Sequence, residues 1–125
     1  MTIELEIVGE AAIARTEVER LAALALASAG VVDGHLAIEF VDEGRIRELN
    51  RDHRSRDEAT DVLSFPIDGA DAAAGPRELG DVVICPPRTT DLREAVVHGA
   101  LHLVGMDHEV DDGEMLALQR ELLSW

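Results

Sequence analysis

The chain has 125 residues, 46% of them apolar, and a formal net charge of −15. That length fits one domain with a real core and is too short for two. The apolar content argues against a disordered chain, the acidity against indiscriminate binding of polyanions, and the single cysteine, Cys85, excludes an internal disulfide or a cysteine-built metal cluster.

Residues 3–8, IELEIV, alternate apolar and acidic and predict a half-exposed strand. Residues 13–29 predict an alanine- and leucine-rich helix that starts near Thr16 or before it and stops at Gly30. HLAIEF, 35–40, predicts a second strand, and a short helix over 42–52 turns Ile46 and Leu49 inward. DVLSFP, 61–66, is a strand closed by Pro66, and GDVVIC, 80–85, is another. Within that apolar run Cys85 reads as a small buried hydrophobe rather than a nucleophile. Between the two strands, IDGADAAAGPRE is turn-rich and reads as a mobile surface loop. The helix predicted over 90–104 is apolar on most sides and belongs in the middle of the domain, with Asp91 and Glu94 favouring its N-terminus. A final amphipathic helix over 112–124 carries Met115, Leu118 and Leu122 on one stripe. Aromatics are limited to Phe40, Phe65 and Trp125, so the core is built from Ala, Leu, Val and Ile. The order of elements predicts one sheet packed against helices.

No apolar stretch reaches membrane-spanning length. The N-terminus, MTIELEIVGE, lacks the basic start and apolar run of a signal peptide. A soluble cytoplasmic protein with no membrane partner is expected. The charge is unevenly spread: there is no lysine, and five of the eleven Lys or Arg positions fall in RIRELNRDHRSR, 45–56. Against Glu48 and Asp52 that window is net +3, leaving −18 on the rest of the chain. Such a strip is either a solvated, salt-bridged helix face or a place to hold one anionic group.

HGALHLVGMDH, 98–108, sets His98 and His102 four residues apart, on one helix face one turn apart. Gly105 can end that helix in a left-handed conformation and return His108 to the same point. Three neutral imidazoles and an open position describe a catalytic zinc site rather than a closed structural one. The spacing matches the long zinc-protease signature HExxHxxGxxH except at one position, where Gly99 replaces the glutamate general base. Glycine cannot take a proton, so the ligand set is kept without the protease chemistry. Phosphodiester hydrolysis, which chiefly demands charge stabilisation, suits what remains. It also calls for a cation beside the metal, and if the strand over 61–65 lies near the metal helix, the loop expected from His53 to Thr60, with Arg54 and Arg56, can overhang the site. Asp107 is either an acceptor for the outer nitrogen of a ligand histidine or a turn residue capping its own backbone.

HGALHLVGMDH resembles the HGxLHLxGyDH signature of the YbeY family, bacterial metal-dependent single-strand endoribonucleases of ribosomal RNA maturation. LNRDHRSRDEATDVLSFP is similar to the upstream block of that family, and LGDVVIC to its LGDIVIC strand; the three segments fall in order over 49–108. The resemblance implies one Zn2+ held by His98, His102 and His108 plus water, with Arg54 in the active-site cleft. It implies an α+β fold: a single metal-dependent endoribonuclease domain over 1–125, with a small mixed β-sheet of about four strands, packed helices and a zincin-like metal-binding helix. It further implies single-stranded ribosomal RNA as substrate, the small ribosomal subunit as partner, and roles in small-subunit 3′ end processing and ribosome quality control. Met106 stands where the family often has tyrosine, and His53 where an aromatic is usual. With no lysine, RNA contacts must run through arginine and backbone amides.

Two other functions compete. One is a zinc-stabilised, non-catalytic ribosome-assembly factor, favoured by the acidity of the chain. The other is a metalloprotease using a different base, such as Asp107 or Glu109. Neither oligomeric state nor the nucleophile, water or the RNA 2′-hydroxyl, is legible in the sequence.

Overall fold

The alternation of residues 3–8 becomes strand β1 (Ile3–Val8), with Ile3, Leu5 and Ile7 turned toward the core and Glu4 and Glu6 outward. Helix α1 (Arg15–Ser28) follows, then β2 (Gly34–Phe40), α2 (Glu43–Arg54), β3 (Val62–Pro66) and β4 (Glu78–Ile84). A 3₁₀ turn at Pro86–Arg88 leads into α3 (Leu92–Leu103), and α4 (Glu114–Leu123) closes the order. These elements come from a computed structural model that describes residues 3–31, 33–67, 78–105 and 113–124.

The four strands form one mixed sheet in the order β1-β2-β4-β3. β1, β2 and β4 run parallel, and β3 pairs antiparallel with β4 at one edge. Parallel neighbours need a crossover, which α1 supplies between β1 and β2. Because successive side chains of a strand point to opposite faces, the sheet has two cores. On one face Leu36, Ile38, Val82 and Ile84 pack against α1, α3 and α4. On the other, Leu63, Val83 and the fully buried Cys85 pack against Ile46 of α2. Burial, foremost among the causes, pushes the Cys85 thiol up, away from the reactive thiolate, as a core residue requires. This is the single sheet packed against helices that the element order predicts, and the α+β fold that the resemblance implies. Among the described residues no helix is long and apolar enough to cross a membrane.

One boundary differs from expectation in a way that matters. α2 runs to Arg54, so His53 and Arg54 stand in its last turn and not in a loop. Nothing in the sequence stops the helix before Ser55, which closes it in the left-handed region at φ 58°. Asn50, buried just before that last turn, donates from its amide to the carbonyl of Glu58 at 2.9 Å and so ties the following loop to the helix. The 67–78 segment, read as a mobile loop, lies for residues 68–77 outside the described residues.

On the side of the sheet away from α1, His35 sits between carboxylates: Nδ1 lies 2.9 Å from Glu78, and Nε2 3.7 Å from Glu6. The Glu78 hydrogen bond, with the charges of Glu78, Glu6 and Glu4, outweighs partial burial and raises its pKa above the ordinary 6.5. A raised folded-state pKa adds stability that is fully present below the unfolded value and is lost as pH rises through the folded one. An NMR titration of His35 should therefore give a midpoint above 6.5 that falls toward 6.5 in Glu78→Gln. An equal midpoint in the two proteins would contradict the assignment.

Candidate metal centre

α3 starts where the sequence predicts it. The Asp91 carboxylate accepts from the backbone N–H groups of Arg93 at 3.0 Å and Glu94 at 3.3 Å, satisfying donors that a helix start leaves open. The helix then lies flat on the sheet at Gly99. A Cβ there would overlap Val82 Cγ1 and meet Val62 Cγ2 at 3.3 Å. The Ser64 hydroxyl, on β3, donates to the Gly99 carbonyl at 3.0 Å and pins the contact. Position 99 therefore faces the sheet, and glycine is there because the backbone approaches too closely for a side chain.

With position 99 fixed, a rotation of about 100° per residue sends positions 98 and 102 to one side of the helix together. His98 and His102 are partly buried, and their Nε2 atoms converge to 3.2 Å. Their rings stand edge to face, centroids 4.7 Å apart at 69°. Two nitrogens each about 2.0–2.1 Å from a tetrahedral zinc are about 3.3 Å apart. The spacing of the pair thus fits a zinc ion with little adjustment. After Leu103 the chain leaves the helix through Gly105, at φ +95°, whose N–H donates to the His102 carbonyl at 3.1 Å. Met106, Asp107, His108 and Glu109 lie outside the described residues.

On its outer side His98 meets α4. His98 Nδ1 lies 2.8 Å from Gln119 Oε1, and Gln119 is only 6% exposed. The sequence carries one sign of this residue. It falls at the fourth position after Met115, on the stripe of Leu118 and Leu122, where an apolar side chain is expected.

A cavity of about 200 Å³ opens beside His98, with Asp61, Arg88, Thr89, Asp91 and Glu94 among its lining residues. It is smaller than the about 300–1,000 Å³ of sites for drug-sized ligands and suits one phosphate or one base. Its arginine is Arg88, from the 3₁₀ turn that sequence periodicity did not show, and Arg88 Nε pairs with Glu43 at 3.1 Å. Arg54 is exposed in the last turn of α2, which packs on the other face of the sheet from α3. Much of the arginine strip is neutralised locally: Arg45 pairs with Glu48, Arg47 with Asp57 and Arg51 with Asp52. Within the strip, among the described residues, that leaves Arg54 and Arg56 outside any ion pair.

A family model described as Endoribonuclease YbeY matches residues 5–125. The chain is 42% identical to the Endoribonuclease YbeY of Bacillus cytotoxicus, over 75% of this chain and 74% of that protein. It is 45% identical to that of Pseudomonas putida, over 74% and 68%. Among solved structures it is similar to the solution structure of TM1509 from Thermotoga maritima, with TM-score 0.57 and 28% identity, covering 96% of this chain and 87% of that one.

The packing at Gly99 is directly testable. Replacement by alanine gains up to about 1 kcal/mol of helix propensity, but overpacking against Val82 costs about 1–3 kcal/mol. Gly99→Ala should therefore lower the unfolding free energy by up to about 2 kcal/mol in a denaturant titration, with a smaller loss in a Val82→Ala background. Equal losses in both backgrounds would show that the helix does not rest on Val82.

Proposed function

The chain belongs to the YbeY endoribonuclease family, and on that premise we propose that it is a zinc-dependent endoribonuclease cutting single-stranded RNA. Its substrate is ribosomal RNA, in the maturation of the small-subunit RNA and in ribosome quality control in the cytoplasm. The observation that carries this reading is the pair of imidazole nitrogens held 3.2 Å apart beside a small open cavity. His98 and His102 would hold the zinc together with His108. When bound, the ion supplies a Lewis acid for a phosphoryl oxygen and lowers the pKa of a coordinated water.

The residues of the chain do the rest. The cavity lining sets three carboxylates, Asp61, Asp91 and Glu94, against one guanidinium, Arg88. Such a cleft repels a phosphate chain unless a cation sits in it, which gives the acidic protein a physical reason to depend on a metal. Arg88, already in the cleft, is positioned to meet a phosphate adjoining the scissile one. Arg54, in no ion pair among the described residues, is the proposed second phosphate contact, reached by RNA that passes the edge strand β3. The threonine hydroxyls at 89 and 90 can donate to sugar or phosphate oxygens. Gly99 argues against the protease alternative, since the position of the protease base is occupied by a helix–sheet contact.

The deciding experiment is cleavage of a single-stranded RNA by zinc-loaded protein, with equally pure His102→Ala beside it. Cleavage by the native protein alone, stopped by a chelator, is the expected result. Equal cleavage by both would end the reading, and cleavage by neither would favour the assembly-factor alternative. Arg54→Ala should bind zinc as the native protein does and lose about ten- to a hundred-fold in kcat/KM. Unchanged turnover would remove Arg54 from the site.

A further inference from the structure

We propose that Gln119 is a positioning residue for His98, fixing the tautomer that turns a bare Nε2 toward His102. The inference deepens the metal-site reading and rests on it, but half of its test does not need a metal.

A neutral imidazole carries one N–H, on either nitrogen, and only the bare nitrogen can bind a metal. An amide oxygen accepts and never donates. With Gln119 Oε1 set 2.8 Å from Nδ1, this arrangement selects the tautomer with its hydrogen on Nδ1, and turns the Nε2 lone pair toward Nε2 of His102 3.2 Å away. Burial makes this selection effective. Gln119 is 6% exposed, so little water competes for Nδ1–H, and its place on α4 is set by Met115 and Leu122, both in the core. A histidine in water has no such constraint and samples both tautomers. Helix α4 is thereby more than a cover on the core: one side chain of it decides which nitrogen of His98 carries the hydrogen.

The choice of an amide over a carboxylate also carries information. Both accept from Nδ1–H, but a carboxylate would add a fourth negative charge beside Asp61, Asp91 and Glu94 around the cleft. The neutral amide orients the ring and leaves the charge of the site unchanged. A glutamate at 119 should hence keep the tautomer and bind zinc at least as tightly, since the added charge raises the basicity of the ligand.

The test uses the full chain with Gln119→Leu and Gln119→Glu, and His98→Ala as the reference for loss of the site. In zinc-free protein, 15N chemical shifts of His98 should report a protonated Nδ1 and a bare Nε2 in the native protein and in Q119E. In Q119L they should report a mixture of the two tautomers. Zinc affinity, measured by competition with a chromophoric chelator, should fall about ten- to a hundred-fold in Q119L and not in Q119E. Should Q119L fold poorly by circular dichroism, Gln119→Asn, one methylene short of the contact, replaces it with the same expected losses. A single unchanged tautomer in Q119L, or an Nε2-protonated His98 in the native protein, overturns the inference. So does native zinc affinity in Q119L when His98→Ala has lost it. If the native protein binds zinc no better than His98→Ala, the metal site itself fails, while the shifts still decide the role of Gln119.

Discussion

The contact that everything else depends on is the approach of α3 to the sheet at Gly99. No side chain fits between the helix and Val82, and the Ser64 hydroxyl holds the Gly99 carbonyl from the neighbouring strand. Once one face of a helix is fixed, all its other faces are fixed too. Positions 95, 98 and 102 then fall on one side within about 60° of each other. Ala95 and His98 border the cavity there, the alanine leaving open the volume that a larger residue would fill. A Glu at position 99 would push the helix off β4 and turn both imidazoles with it.

The same contact separates this site from the protease pattern it resembles. In that pattern the residue after the first histidine is a base, whereas here it is the floor on which the helix rests. Loss of the base and closeness of the packing are one structural fact. What remains chemically is a pair of nitrogens, a cleft with more carboxylates than guanidinium groups, and arginines whose charges are largely spent on their own neighbours. On the proposed reading, a bound cation would carry the electrostatic work on an anionic substrate, with RNA held by few direct charge contacts.

The order of elements, the Asp91 cap and the left-handed Gly105 were legible in the sequence because each follows from local periodicity or backbone preference. The convergence of His98 and His102 was legible for the same reason, being a property of one helix turn. Features set by contacts between distant segments were not. Arg88 reaches the cavity through a 3₁₀ turn that has no periodic signal, and Arg54 belongs to a helix that outlasts its apparent end because Ser55 accepts a left-handed backbone. Gln119 meets His98 across 21 residues of sequence, and only its polar character on an apolar stripe hinted at a partner. The burial of Asn50, which ties the loop after α2 by its bond to Glu58, is likewise a tertiary fact that an arginine-rich helix does not announce.

On the proposed reading the metal sits at the histidine pair of α3, and anomalous diffraction at the zinc edge, on crystals of zinc-loaded protein, would locate it. A peak is expected between the Nε2 atoms of His98 and His102, about 2.0–2.1 Å from each. A peak elsewhere, such as at His35 between Glu6 and Glu78, with none at the α3 pair, would contradict it.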